Sequence, residues 1–186
     1  MDWRISARWW ELLSSITKMI VRKENPGDIE AIRHVNEMAF GGPSEADLVD
    51  ALRRHGKVTI SLVAEEDSQI VGHILFSPVT LEPGINAFAA VGLAPLAVLP
   101  QFQNQGIGSL LVVAGLEQCR AAGIDWVVVL GHPSYYPRFG FVPASRFGVK
   151  CVYNVSDETF MLLELREGIM KGHSGIVNYQ PQFNEV

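Results

Sequence analysis

The chain has 186 residues, 48% apolar and 19% charged, which suits one folded domain with a single core and excludes a disordered chain. A formal charge of -5 and a pI near 5.5 provide no basic stripe to neutralise phosphates, which excludes a nucleic-acid binder. Cys119 and Cys151 are the only cysteines; their spacing fits neither a disulfide framework nor a metal site, and they read as two buried thiols of a reducing cytoplasm.

Residues 1–18 read as an N-terminal extension, 19–167 as the folded domain and 168–186 as a C-terminal tail that packs loosely. Asp2, Arg4, Arg8 and Glu11 interrupt the extension, so it lacks the apolar centre of an export signal. Trp3, Trp9, Trp10, Leu12 and Leu13 outline a short amphipathic helix for which docking on its own domain, or disorder, is the default, with a partner or a membrane surface as the other readings. No run reaches the length of a membrane span. Ile20 and Val21 open the first strand. Asp28 then caps a helix whose apolar positions are Ile29, Ile32, Val35, Met38 and Ala39. Gly41, Gly42 and Pro43 break it, and a second helix from Glu45 to Arg54 buries Ala46, Leu48, Val49, Ala51 and Leu52. Thr59–Ala64 and Gln69–Phe76 form a hairpin around a polar turn, with His73 as a packed or exposed strand residue rather than a base. Leu81 to Asn86 turns the chain, and Phe88–Val98 is the next strand, in which Gly92 and Pro95 mark a bulge or an unpaired edge.

The stretch 96–111, LAVLPQFQNQGIGSLL, organises the rest. An apolar strand end is stopped by Pro100, and Gly106 and Gly108 free the backbone to approach a ligand. A helix follows from Ser109, with Leu110, Val113, Ala114 and Leu116 as its buried face. Free N–H groups and the dipole at such a helix start favour an anion. A Walker loop is excluded because no Gly-Lys-Ser/Thr occurs, and the dinucleotide fingerprint fails because Leu111 occupies its third glycine. The pattern present is Gln103-x-x-Gly106-x-Gly108. Downstream, the buried strand Trp126–Leu130 leads into GHPSYYPRFGFVP, in which Tyr136 stands four residues before Gly140 and Phe141.

These two motifs, in this order and separated by one helix and one strand, resemble the pyrophosphate loop and the Tyr-x-x-x-Gly-Phe signature of the GNAT superfamily of acetyl-CoA-dependent acyltransferases. The resemblance spans roughly Ile20 to Arg166 and looks nearest to the small bacterial branch with an LG-x-P-x-YY-x-RFGF run. It implies a mixed α/β fold of about seven mostly antiparallel strands, with a central parallel βαβ unit and a V-shaped splay. Acetyl-CoA is the implied co-substrate, with no metal. Leu96, Ala97 and Val98 on the splayed strand, and Asn104, Gln105, Gly106, Ile107, Gly108 and Ser109 in the loop and helix start, are implied to hold it. The Val98 amide is the implied oxyanion donor.

The chemistry implied is direct attack of a neutral amine on the thioester, with Tyr136 protonating the departing thiolate. Family members often carry an asparagine seven residues before the tyrosine; Val129 stands there, so that contact is absent or is replaced by His132 or Ser134. His132 is the first candidate base, with Glu82 and Glu158 behind it. The loop Phe40–Glu45 and the loop Asn154–Thr159 are expected to border the acceptor. The expected acceptor is a small-molecule, peptide or protein amine, the expected compartment is the cytoplasm, and a homodimer is admitted. Two alternatives stand beside this reading: a CoA-binding module without turnover, and an acyltransferase using a longer acyl-CoA or an acyl carrier protein.

Overall fold

The structure is a computed structural model that describes residues 19–83 and 88–185. The expected amphipathic helix within residues 1–18 lies outside these.

The chain runs β1 (Met19–Lys23), α1 (Ile29–Phe40), α2 (Ser44–Arg54), β2 (Ile60–Glu66), β3 (Gln69–Pro78), β4 (Thr80–Glu82), β5 (Ala90–Val98), α3 (Ile107–Ala121), β6 (Trp126–Leu130), β7 (Val142–Pro143), β8 (Val149–Cys151), β9 (Phe160–Glu164) and β10 (Gly175–Asn178). Seven strands form one sheet in the order β1-β2-β3-β5-β6-β9-β7. Its single parallel pair is β5 with β6, joined by α3; the other pairs are antiparallel. This is the mixed sheet with a central βαβ unit that the sequence implies. Asp67 and Ser68 take positive φ in the two-residue β2–β3 turn, which matches the twist of the hairpin.

The helices cover both faces, and β3 makes this visible. A Cβ on Gly72 would lie 2.9 Å from Leu111 of α3, and the Phe76 ring abuts Gly115 of the same helix. On the opposite face His73 reaches Asn36 of α1. The buried face of α3 is Ile107, Leu111, Val112, Gly115, Leu116 and Cys119. That corrects the expected face: Leu110 and Val113 are about half exposed. The helix begins two residues earlier than Ser109, and its apolar residues run nearly all round, so periodicity alone did not select the packed side. In α1, Ile32 and Val35 are buried as expected, but Ile29 and Met38 are exposed. All five expected apolar residues of α2 are buried.

A buried polar network fixes α1 and α2 to the sheet. The Ser61 hydroxyl donates to Glu24 at 2.5 Å, so its oxygen accepts from His73 Nε2 at 3.0 Å. His73 Nδ1 then accepts from the Asn36 amide at 3.1 Å, and the imidazole is the neutral Nε2–H tautomer. Arg53 of α2 closes the network on Glu24 and Asp50.

The C-terminal residues do not form the loose tail expected. β10 lies at the centre of a second sheet, β4-β10-β8, pairing antiparallel with β4 and parallel with β8. Val177 is fully buried and Met170 and Gln182 nearly so. Neither β4 nor β10 has enough alternating residues to announce itself; each is a strand because it meets the other.

Candidate active site

The site begins where β5 and β6 part. They pair from Ala90↔Trp126 to Leu93↔Val129 and no further, although β5 continues to Val98. At the parting, Ala94 and Pro95 together oppose Leu75 of β3, because the register steps from Ile74↔Leu96 to Phe76↔Leu93. This is the expected bulge, and the proline needs no ladder partner there. The Leu99 amide donates to Val71 of β3, so by alternation the backbone groups of Leu96 and Val98 point away from β3, into the gap. Ala97 points toward β3 and is buried, so of the three strand residues expected in the site it does not line the gap.

The gap opens into a cleft of about 1140 Å³. One end is the start of α3. Its N-cap, Gly106, has φ 88° and provides no side-chain cap, so the first-turn N–H groups of Ile107, Gly108 and Ser109 are left for a ligand. A Cβ at Gly106 would meet nothing within 4 Å, but its left-handed backbone favours glycine. Gln103 donates to the Val98 carbonyl at 2.9 Å and ties the loop to the strand end. Asn104 lines the cleft; Gln105 does not, its amide being turned to the Gln101 carbonyl.

Tyr136 lines the middle of the cleft. Its ring fits beneath Gly131, where any Cβ would collide with it, and packs edge-on against Phe141 and Tyr135. Burial, with a smaller push from Tyr135, raises its phenol well above the ordinary value of 10. It is therefore protonated at any working pH. Tyr135 is the residue the sequence reading passed over. Its hydroxyl stands 3.5 Å from Ser109 Oγ and 2.8 Å from where a Gly108 Cβ would be, and Arg138 stacks on its ring at 4.7 Å.

The cleft lining also includes Phe40 and Glu45, on either side of the loop between α1 and α2, and Val155 and Thr159 of the β8–β9 loop. His132 lines the cleft mouth and is exposed. The other candidate bases stand apart: Glu82 is on β4 and Glu158 on an exposed loop, and neither lines the cleft. Ser134 is also outside the lining. His73, read as a packed or exposed strand residue, is fully buried. Burial pushes the Cys119 thiol up to about 12 and raises that of Cys151, so neither is a ready nucleophile. Three lining aromatics went unnoticed in the sequence: Tyr153, Tyr179 and Phe183. Tyr179 and Phe183 belong to the segment taken for a tail, and Tyr153 stands at the end of a short strand; no motif marked any of them. Among the described residues no cluster of metal-ligating side chains occurs, and no helix is long and apolar enough to cross a membrane.

Residues 58–143 match the acetyltransferase (GNAT) domain family. The chain is 35% identical over 167 residues to the uncharacterised N-acetyltransferase YhbS of Escherichia coli K12, covering 89% of this chain and 99% of that one. The uncharacterised N-acetyltransferase YjhQ of the same strain is 40% identical over 134 residues, covering 70% of this chain and 74% of YjhQ. Among solved structures, E. coli YhbS in complex with CoA superposes with a TM-score of 0.86 at 34% identity, covering 90% and 93% of the two chains. A GNAT family acetyltransferase from Brucella melitensis in complex with acetyl-CoA superposes with a TM-score of 0.75 at 38% identity, covering 90% and 99%.

Proposed function

We propose that this chain, which belongs to the GNAT acetyltransferase family, moves the acetyl group of acetyl-CoA to an amine by direct attack within the β5–β6 cleft. The family membership makes it an N-acetyltransferase with acetyl-CoA as its co-substrate. The observation that carries the mechanism is the convergence on one cleft of an uncapped helix start, two unpaired strand amides and a protonated phenol.

In this reading the N–H groups of Ile107, Gly108 and Ser109 hold the pyrophosphate, whose charge the α3 dipole favours. Gly106 and Asn104 allow the close approach, and Leu96 and Val98 pair with the pantetheine arm along the gap. The acceptor nitrogen bonds to the acetyl carbon, and the carbonyl oxygen takes up charge beside the Val98 amide. As the C–S bond breaks, Tyr136 gives its proton to the thiolate, and His132 at the cleft mouth receives the proton lost by the amine. The products are the N-acetyl amine and CoA with its free thiol. The unpaired thiols are consistent with a cytoplasmic enzyme.

Calorimetric titration with acetyl-CoA and CoA tests the donor half. Micromolar binding lost in Gly108→Trp supports it, because the indole would occupy the helix start. Tyr136→Phe then tests the chemistry: full binding with kcat lowered about 100-fold is the expected result for a lost general acid. Absence of binding by the unaltered protein would overturn the reading. Binding with no thiol release from any amine would favour the CoA-binding module without turnover.

A further inference from the structure

The second sheet and the residues after it build one wall of the cleft, and that wall is aromatic. Tyr153 follows β8, Tyr179 follows β10, and Phe183 stands in the 3-10 turn Pro181–Asn184. The Tyr153 and Tyr179 rings are 5.8 Å apart and those of Tyr179 and Phe183 5.0 Å. Three contacts hold the wall in place. The Tyr153 hydroxyl donates to Asn184 at 3.1 Å. Gln180 donates to the Pro78 carbonyl at 2.8 Å. The Tyr179 ring lies on Gly92 of β5, where a Cβ would come within 2.6 Å of it. Gly92 is one residue before Leu93, the last residue of β5 paired with β6, so the wall stands beside the mouth of the splay.

Phe40, Ala39 and Leu48 line the same cleft from α1 and α2, and Phe40 is 45% exposed. Glu45, in the first turn of α2, is the only carboxylate in the lining among the described residues. It is half-buried and has no ion-pair partner among the described residues, whereas the nearby arginines Arg33 and Arg53 are taken by Asp47, Asp50, Glu37 and Glu24. The one basic side chain fixed in charge within the lining, Arg138, is stacked on Tyr135 above the α3 start.

From this lining we infer that the acceptor is a primary amine carried on a flat aromatic body, such as an arylalkylamine, held against the Tyr153–Tyr179–Phe183 wall with Glu45 as counter-charge to its ammonium. The inference rests on the acetyltransferase reading above. Aromatic faces attract a flat apolar body and its adjoining cation. A polyamine or an aminosugar would bring several ammonium or hydroxyl groups against a wall with one free carboxylate, leaving the others desolvated without a partner. The ammonium bound at Glu45 first loses one proton to solvent, and the neutral amine then enters the transfer written above: His132 takes the proton lost on attack, Tyr136 gives one to the thiolate, and both groups are restored by exchange with solvent, for a net release of one proton.

The test compares phenethylamine and tryptamine with spermidine, an aminoglycoside and a lysine-containing peptide, following thiol release at saturating acetyl-CoA. Acetyl-CoA binding is measured in parallel by calorimetry. The arylalkylamines are expected to exceed the others in kcat/KM by about tenfold or more, the scale of one desolvated cation–aromatic contact. Glu45→Gln and Phe183→Ala should each raise the arylalkylamine KM about tenfold with the acetyl-CoA Kd unchanged, and Phe183→Leu should recover part of the loss. Normal acetyl-CoA binding with spermidine, the aminoglycoside or the peptide preferred would overturn this inference and leave the acetyltransferase reading intact. So would a Glu45→Gln variant with unaltered KM. Absence of acetyl-CoA binding would overturn the donor reading, and this inference with it.

Discussion

Acidification should weaken this protein through one imidazole. His73 is fully buried, and its pKa is pushed down to about 4, chiefly by burial; the carboxylate of Glu24 works against this and the charge of Arg53 with it. In the unfolded chain the group returns to its ordinary value near 6.5. Between those values the unfolded state binds a proton that the folded state refuses, so stability rises with pH across the window. It is complete above pH 6.5 and lost as pH falls toward 4, at about 1.4 kcal/mol per pH unit and about 3 kcal/mol in all. Glu24 adds in the same direction at lower pH. Burial pushes its carboxyl up, but the bonds from Arg53 and Ser61 hold it below the usual range. Urea unfolding followed by circular dichroism between pH 7 and 4.5 measures the slope. His73→Gln should lower stability throughout but remove most of the slope above pH 4.5, which separates His73 from the surface carboxylates. A flat profile in the unaltered protein, or an unchanged slope in His73→Gln, would refute the reasoning.

Gly115→Ala places a methyl 2.5 Å from the Phe76 ring, which is fully buried and has nowhere to move. The gain in helix propensity offsets only about 1 kcal/mol, so a net loss of about 1–3 kcal/mol is expected from the urea midpoint. Gly131→Ala should displace the Tyr136 ring and lower kcat while leaving acetyl-CoA affinity within about twofold by calorimetry, since the α3 start is untouched. Because burial raises the Tyr136 phenol well above 10, the pH profile of kcat should show no falling limb from this group up to about pH 10. Removing residues 175–186 deletes β10 and two of the three wall rings, Tyr179 and Phe183; thermal unfolding should come earlier, and arylalkylamine saturation should vanish where turnover survives.

What could be read in the sequence was whatever local covalent pattern dictates. Gly106 and Gly108 before an apolar helix, and Pro95 within an apolar strand, restrict the backbone at their own positions, so the loop and the bulge were legible. The run Trp126–Leu130 and the Tyr136–Phe141 motif located the second half of the cleft in the same way. The two glycine–tyrosine motifs together named the family, which the relatives then established.

Other features were decided only when distant segments met. The buried side of α3 depended on where Phe76 and Gly72 lay across the sheet, which helical periodicity does not encode when a helix is apolar nearly all round. His73 became a neutral buried link because Glu24, Ser61 and Asn36, far apart in the chain, converge on it. The C-terminal segment is short, polar and weakly patterned, and it is ordered by pairing with β4 and β8, contacts that yield stability only after the chain has closed. The aromatic wall of the cleft belongs to this class. Its rings are separated by up to 30 residues and share no motif, and only the tertiary structure brings Tyr153 to Phe183 on one side of the cleft.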